Sequence, residues 1–302
     1  MKLVGMFLNL AKNDSQIPLR EEAFLKGMKG WTKDKDVRFE YRFGGGEHEK
    51  YHQYAQELVA LKPDVIFAGC GPSWSALETA LQDARQTIPI VFAGMIDPTS
   101  TNRITSDNSK SVTGYVSYET ILCKTWPGKL KQIAPQVVRV AVIRDPGRRL
   151  GKVQFDAIES AARTLGLTVS AIDVTESAEA IKRNIAAFAG AAGGGLIVPG
   201  STLAATRRDL IIGLAAQHRL PAIYPNHMYT TSGGLISYGA ITLELYESAG
   251  SYADRILKGA SPSQLPVIRD NKFELVINLK TANAMGLDVP NALLSEADEV
   301  MR

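Results

Sequence analysis

Residues 63–98 read PDVIFAGCGPSWSALETALQDARQTIPIVFAGMIDP, and this stretch decides the fold. Val65–Ala68 is apolar at successive positions, which is typical of a strand buried on both faces of a parallel sheet. A glycine-rich turn at 69–73 ends this strand, and apolar residues then recur at helical spacing over 76–84. A second apolar run begins at Pro89, so the stretch predicts a β-α-β unit.

The same pattern returns about 130 residues later, as an internal repeat requires. Residues 195–201 match the first strand and its turn, residues 206–219 match the helix, and residues 220–225 match the returning strand. The repeat predicts two similar α/β lobes rather than one continuous sheet.

Composition places the chain among ordinary soluble globular proteins. Its 302 residues suffice for two domains, and 45% are hydrophobic and 22% charged. The net charge of +3 is too small and too scattered to indicate a nucleic-acid partner. No apolar run approaches the ~20 residues that span a bilayer. Cys70 and Cys123 show no redox or metal-binding spacing, and their pairing stays open.

The remaining chain alternates between predicted strands and helices. We expect strands at 3–8, 37–43, 112–116, 138–143, 167–172 and 273–278, and helices at 19–30, 51–58, 120–133, 151–165, 178–189 and 243–258. Pro262 and Pro266 bracket an expected linker, and helical pieces are expected after residue 278. Crossings between lobes are expected near 116, 240 and 265. Lobe 1 would then comprise 1–116 plus 241–264, and lobe 2 would comprise 117–240 plus 265–302.

The strongest enzyme-like motif is HEKYH at residues 48–52, which fits the zinc-protease pattern H-E-x-x-H. Zinc proteases hold both histidines in the middle of one helix, whereas this motif follows three glycines at a first helical turn. The apolar stripe through Tyr51, Tyr54 and Leu58 leaves His48 and His52 at its polar edge. We therefore expect no bound metal. The sequence also lacks the G-x-S-x-G motif of serine hydrolases, so we expect no catalytic residue.

Glycine turns at two predicted strand ends suggest anion binding rather than cofactor binding. Gly69-x-Gly71 lacks the third glycine of a dinucleotide fingerprint and no P-loop lysine is present, so we expect no cofactor. Ser73 and Ser201 fall where helix N-termini expose N–H groups that suit a carboxylate. Simple N-capping explains each serine equally well.

Open α/β sheets bind ligands beyond the carboxyl ends of their strands, and the predicted ligand-binding residues lie there or on the crossings. Any single aromatic residue at such a place more often serves packing. The candidate residues are Asn9, Gly71, Ser73, Trp74, Asp97, Tyr118, Arg144, Asp145, Ser201, Thr202, Tyr224, Asn226 and Tyr238.

Four segments give the chain a family resemblance over nearly its full length: AQELVALKPDVI at 55–66, PIVF at 89–92 with Asp97-Pro98, GLISYG at 234–239 and FELVINLKTA at 273–282. With these segments the chain resembles the substrate-binding proteins of ABC importers, in a family that includes aromatic amino-acid binders. The resemblance implies a type I periplasmic-binding fold, with two Rossmann-like lobes of parallel sheets joined by a three-crossing hinge. It also implies a periplasmic location after removal of a signal peptide, docking on a membrane permease, and action as a monomer.

Two features depart from the pattern of these relatives. Residues 107–114 read DNSKSVTG where relatives usually carry Pro-Gly-Gly-Asn before Thr-Gly, and Cys70 occupies the turn expected to face the ligand. The relatives' substrate is therefore not assumed. A small carboxylate ligand, either an amino acid or an aromatic acid, is expected in the cleft between the lobes. Arg144 would bind its carboxylate, and Trp74, Tyr118, Tyr224 and Tyr238 would form aromatic walls.

Other classes of protein fit the sequence less well. A repressor of this fold would need a helix-turn-helix ahead of the first strand, where this sequence holds no residues for one. An enzyme would need a nucleophile, a base or a metal set. A sensor of the same fold, acting in chemosensing or regulation, stays open because it would differ in its partner rather than in its pocket.

Overall fold

The computed structural model describes residues 1–95, 110–117, 119–270 and 272–302. The chain divides into two compact units, the first comprising Met1–Tyr118 and Thr242–Asn271, the second Glu119–Ile241 and Lys272–Arg302. The chain thus passes between the units three times, at residues 118, 241 and 271.

Strands and helices alternate along most of the described chain. The strands are β1 (Lys2–Leu8), β2 (Val37–Phe43), β3 (Val65–Ala68), β4 (Ile90–Met95), β5 (Val112–Ser117), β6 (Arg139–Arg144), β7 (Thr168–Asp173), β8 (Gly194–Ile197), β9 (Ala222–Tyr224), β10 (Ile236–Ala240), β11 (Ile268–Asp270), β12 (Phe273–Asn278) and β13 (Glu299–Met301). The helices are α1 (Gln16–Gly27), α2 (Tyr51–Ala60), α3 (Gly71–Ala84), α4 (Glu119–Ile133), α5 (Arg149–Thr164), α6 (Ala178–Ala189), α7 (Thr202–Thr206), α8 (Arg208–Gln217), α9 (His227–Thr231), α10 (Thr242–Leu257), α11 (Leu279–Met285) and α12 (Asn291–Glu296).

The first unit contains a parallel sheet in the order β11-β5-β4-β3-β1-β2. Its central strand β3 is buried at every position, as its uninterrupted apolar sequence predicts. Ile66 and Ala68 join the core with α2 and α3, while Phe67 contacts Phe24 of α1 and Tyr246 of α10. Helices therefore cover both faces, and the predicted β-α-β unit is confirmed as β3, α3 and β4.

The second unit contains a mixed sheet in the order β13-β12-β10-β9-β8-β6-β7. The prediction of parallel strands is wrong for one pairing, because β10 and β12 run antiparallel. The chain leaves β10 at Ala240 and resumes this sheet at Phe273, and these two residues pair with each other. Since β12 begins at the edge where β10 ends, it must run in the opposite direction.

Several short elements differ from the sequence prediction. The helix expected at 206–219 corresponds to α8, and a short additional helix, α7, precedes it with Arg207 between the two. Strand β11, which was not expected, lies just beyond the linker expected between Pro262 and Pro266 and pairs with β5, and the first unit extends past residue 264. Strand β13 lies where only helical pieces were expected and pairs with β12. Among the described residues, no helix has both the length and the apolar character that crossing a membrane requires.

Candidate ligand-binding site

A buried arginine organises the carboxyl edge of the first sheet. Asn9 follows β1, and its Oδ1 accepts a 2.9 Å hydrogen bond from Nη1 of Arg20 on α1. The same Nη1 atom lies 3.3 Å from the hydroxyl oxygen of Tyr246. Burial raises the pKa of Tyr246, and the neighbouring Arg20 offsets part of that rise. Arg20 exposes only 5% of its surface, so it fixes Asn9 from within the core.

Cys70 caps the turn that follows β3. Its Sγ accepts a hydrogen bond from the backbone N–H of Ser73 at 3.4 Å and lies 3.1 Å from the Ser73 hydroxyl. Ser73 is fully buried, whereas Gly71 at the start of α3 is half-buried with no atom close to where a Cβ would lie. The part of this turn that is open to a ligand is therefore Gly71 and not Ser73.

Trp74 belongs to the core of the first unit. Its side chain is 1% exposed, and its ring stacks on Phe92 at a centroid distance of 5.7 Å. The expectation that Trp74 forms an open aromatic wall is corrected, because the helical stripe that it shares with Leu77 and Leu81 packs against the sheet. Asp97 and Tyr118, also predicted as site residues, lie outside the described residues.

A pocket of about 340 Å³ opens near the carboxyl ends of β1 and β2, close in sequence to Asn9. It is lined by Ala11, Lys12, Tyr41, Arg42, Phe43, Gly45, Glu47 and Tyr54. The rings of Tyr41 and Phe43 stack at 5.8 Å, and Nε of Arg42 donates to Glu57 at 2.6 Å. None of these lining residues was among the predicted site residues.

Arg144 ends β6 at the carboxyl edge of the second sheet. Its Nε donates a 2.7 Å hydrogen bond to Oδ1 of Asp173 at the end of β7, and its guanidinium carbon lies 5.0 Å from the ring centroid of Phe155. Within the described residues, no hydrogen bond from its two Nη atoms is found. The guanidinium is thus oriented on one side by an ion pair and a ring, with its paired N–H fork available.

Asp145 follows Arg144 and is 7% exposed. It begins the turn Asp-Pro-Gly-Arg, in which the backbone N–H of Arg148 donates to the Asp145 carbonyl at 3.4 Å. At Gly151, an added Cβ would lie 1.9 Å from that carbonyl, so the first turn of α5 packs directly on the Asp145 backbone. The backbone that carries the Asp145 carboxylate is therefore held from two sides.

Ser201 acts as the N-cap of α7, because its hydroxyl accepts a hydrogen bond from the N–H of Ala204 at 3.3 Å. Thr202 is the first residue of that helix, which has only five residues. The expected anion site at a long helix N-terminus is corrected, since a single turn carries little dipole. Gln154 of α5, 1% exposed, donates to the carbonyl of Gly200 at 3.2 Å and anchors the turn.

Tyr224 lies in the core of the second unit. It is 1% exposed and stacks on Tyr229 at 5.1 Å, and burial raises its pKa. The expectation that it lines an open surface is therefore corrected. Asn226 is the N-cap residue before α9, and its Oδ1 is buried without a hydrogen-bond partner in the described chain. Tyr238 is half-buried near Phe273, with the Lys129 amine 5.9 Å from its ring centroid.

The H-E-x-x-H sequence does not lie within one regular helix. His48 falls in a 3₁₀ turn and His52 in α2, where its Nε2 lies 4.0 Å from Oδ2 of Asp83. The described residues contain no group of three or more His, Cys, Asp or Glu suited to a metal ion. Cys70 and Cys123 are both buried, and neither forms a disulfide in the described chain.

Comparisons with known proteins agree with this architecture. A family model described as ABC transporter substrate binding protein matches residues 19–301. A tyrosine-binding protein of Clostridioides difficile is 23% identical over 289 residues, covering 92% of this chain and 81% of that protein.

Solved structures share the fold. An ABC domain from Streptococcus pneumoniae in complex with L-Trp is 21% identical, with a TM-score of 0.84 and 99% of both chains covered. A Bacillus halodurans solute-binding protein with bound myo-inositol is 11% identical, with a TM-score of 0.61 over 94% of this chain and 97% of that one. The chain therefore has the α/β two-lobe periplasmic binding protein fold, which confirms the fold class that the sequence predicted.

Proposed function

The chain belongs to the family of ABC transporter substrate-binding proteins, and from this premise we propose that it is the solute-binding component of an importer for a small carboxylate ligand. Family membership confirms that the chain is a binding protein rather than an enzyme. The ligand is an amino acid or an aromatic acid. It binds at the carboxyl edges of the sheets, where open α/β folds hold their ligands.

The observation that carries this proposal is the match to the tyrosine-binding protein, which extends over 92% of the chain at 23% identity. The protein with bound myo-inositol is only 11% identical and supports the fold alone. Amino-acid binding is therefore favoured over sugar binding, although one fold serves both.

Arg144 provides the chemistry that a carboxylate requires. The Asp173 ion pair and the Phe155 ring hold its guanidinium in place, so little side-chain entropy remains to be lost when a ligand binds. A paired N–H fork matches the two oxygens of a carboxylate. Because Trp74 and Tyr224 pack in the core, recognition of an aromatic body rests on Tyr238 among the described candidate residues.

The proposed partners follow from family membership. The protein works as a monomer outside the cytoplasm, where family members capture substrate, and delivers its ligand to an ABC permease in the membrane.

A thermal-shift panel tests the ligand class. A ligand that binds only the native state stabilises it by RT ln(1 + [L]/Kd), about 2.7 kcal/mol at a hundredfold excess over Kd. Amino acids and aromatic carboxylates should raise the melting temperature, while sugars and polyamines should not. Stabilisation by sugars or polyamines alone would contradict the proposal.

Variants of Arg144 test its role separately. Arg144→Ala should weaken binding of the responding carboxylate about tenfold or more, since a hydrogen bond to a charged group contributes about 1.5–3 kcal/mol. Arg163→Ala is the matched control, because Arg163 is on the same helix as Phe155 and its side chain is 71% exposed. Equal ligand affinity of the Arg144→Ala and Arg163→Ala variants would show that Arg144 does not bind the ligand, and it would leave the proposed function standing.

A further inference from the structure

The pocket near the ends of β1 and β2 lies within the first unit, and none of the residues that line it belongs to the candidate ligand site. Its volume of about 340 Å³ is large enough for a small molecule. Lys12, Arg42 and Glu47 are the charged residues of its lining. The groups that these residues present, together with the backbone and the rings around them, define the chemistry of a ligand that would fit.

Arg42 presents a guanidinium that its neighbours already orient. Its Nε donates a 2.6 Å hydrogen bond to Oε2 of Glu57 on α2, and its Nη1 donates to the Tyr41 carbonyl at 2.8 Å. The Glu57 carboxylate is itself held by Nε2 of Gln53 at 2.9 Å. Nη2 of Arg42 donates to no group in the part of the chain that the structure describes, and 23% of the side chain is exposed. This atom can therefore bind a ligand at little cost in side-chain entropy.

The pocket carries a positive excess. Arg42 is neutralised by Glu57, whose pKa the hydrogen bond from Arg42 lowers, and Glu47 is neutralised by Lys50. The exposed amine of Lys12 forms no ion pair within the described ranges. Because one cation is left without a counter-charge, the pocket favours an anion over a neutral or cationic ligand.

The glycine turn after β2 borders the pocket and adds backbone donors. The Gly44 carbonyl accepts a 2.8 Å hydrogen bond from the Glu47 N–H, and the two central residues, Gly45 and Gly46, have φ angles of 54° and 82°. These angles are those of a type I′ turn, whose own hydrogen bond leaves both central N–H groups unused. Neither N–H donates a hydrogen bond among the described residues. Together with the Arg42 fork and the Lys12 amine, such donors exceed what two carboxylate oxygens need and suit the three oxygens of a phosphate monoester.

Aromatic side chains form another part of the lining. The rings of Tyr41 and Phe43 stack at a centroid distance of 5.8 Å with an interplanar angle of 5°, and Tyr54 contributes a third ring. Inorganic phosphate would leave this surface uncovered, whereas a ring attached to the phosphate would pack on it. We infer that the pocket is a second binding site, which takes an aryl phosphate monoester. This inference goes beyond the proposed function and does not depend on it.

The alternative is a water-filled groove with a solvated lysine at its rim, and a pair of variants separates the two. Lys12→Gln removes the amine, which takes part in no ion pair of the described fold. Lys35→Gln is the matched control, because Lys35 is also exposed in the first unit but does not line the pocket. Both variants make the same chemical change and should fold like the wild type.

The experiment is isothermal titration of the wild-type chain and both variants with phenyl phosphate and with its two halves, phenol and inorganic phosphate. The wild type should bind phenyl phosphate at least tenfold more tightly than either half, because only the whole molecule reaches both the donors and the rings. Lys12→Gln should weaken binding of phenyl phosphate about tenfold, since it removes a hydrogen bond between charged groups. Lys35→Gln should bind it like the wild type.

Three results would overturn the inference and leave the proposed function intact. The first is a wild type that binds phenyl phosphate no more tightly than phenol or inorganic phosphate, which needs no variant to fold. The second is unchanged affinity for phenyl phosphate in a folded Lys12→Gln protein. The third is loss of phenyl phosphate binding in Arg144→Ala, since that residue belongs to the second unit and a site in the first unit should be unaffected. A failed carboxylate panel with intact phenyl phosphate binding would overturn the proposed function alone.

Discussion

Replacing Gly27 by alanine should force apart α1 and α10 in the first unit. A Cβ at Gly27 would lie 1.9 Å from the carbonyl oxygen of Glu247, and one at Gly250 would lie 2.0 Å from that of Phe24. Ordinary contact begins at 3.4 Å, so the first substitution requires a movement of about 1.5 Å (3.4 minus 1.9). Both obstacles are backbone atoms, and no flexible side chain can move aside instead.

The expected cost follows from two opposing effects. Overpacking costs about 1–3 kcal/mol, and contact with backbone places Gly27→Ala near the upper end of that range. Alanine recovers about 1 kcal/mol through its higher helix propensity. We expect a net loss of about 2 kcal/mol in the free energy of unfolding. The double variant Gly27→Ala/Gly250→Ala should lose less than the sum of both, because the first separation makes room for the second.

Urea unfolding followed by circular dichroism measures these changes as shifts of the midpoint. Gly213→Ala is the matched control, since Gly213 is exposed within α8 and no atom lies within 4 Å of its added Cβ. That variant should gain about 0.5–1 kcal/mol. A Gly27→Ala protein as stable as the wild type, or stabilised like Gly213→Ala, would refute the close approach of α1 and α10.

Two further predictions concern the first unit. Cys70→Ala removes the acceptor for the Ser73 N–H and should lower the free energy of unfolding by about 1 kcal/mol. Cys70→Ser should keep most of that stability. Equal urea midpoints for the wild type and Cys70→Ala would contradict the cap. Burial raises the pKa of Asp64, but hydrogen bonds from Lys2 Nζ and the Leu3 N–H outweigh this effect, so the pKa lies below its ordinary value. Its stabilising contribution is complete above the unfolded-state pKa and is lost as the pH falls through the lower folded-state pKa. Asp64→Asn should therefore flatten the acid-unfolding curve below about pH 4, and an unchanged curve would contradict the assignment.

The β-α-β unit was predictable because a strand covered on both faces has no polar positions. Val65–Ala68 shows this uninterrupted apolar pattern, and the structure buries all four residues. Strands β11 and β13 were not predictable, since three residues are too few to show any periodicity. Their pairing depends on contacts with distant strands rather than on local sequence.

The aromatic candidates show where the reading of the site failed. Trp74 and Tyr224 follow or end strands, as ligand-binding aromatics do, but both pack inside the units. For Trp74 the sequence holds the correcting signal, because Leu77 and Leu81 continue its stripe at helical spacing. For Tyr224 it does not, because a three-residue strand reveals no face. Polar residues at strand ends were therefore better candidates than aromatic ones.

Two polar residues that the sequence reading missed share a pattern. Arg20 lies three residues after buried Ile17 and four before buried Phe24, and Gln154 has the same spacing to Gly151 and Ile158. Each therefore occupies a buried position in an otherwise apolar helical stripe, where an unpaired polar group would be costly.

The two side chains have similar roles in the two units. Each belongs to the helix that follows the first strand of its unit, and each bonds to a turn at the carboxyl edge of the sheet: Arg20 to Asn9 and Gln154 to Gly200. A turn held by a buried side chain loses little conformational freedom when a ligand binds, which raises affinity. Each unit therefore anchors one turn at the carboxyl edge of its sheet with a buried polar side chain, and a polar residue within an apolar helical stripe is the sequence signal of such an anchor.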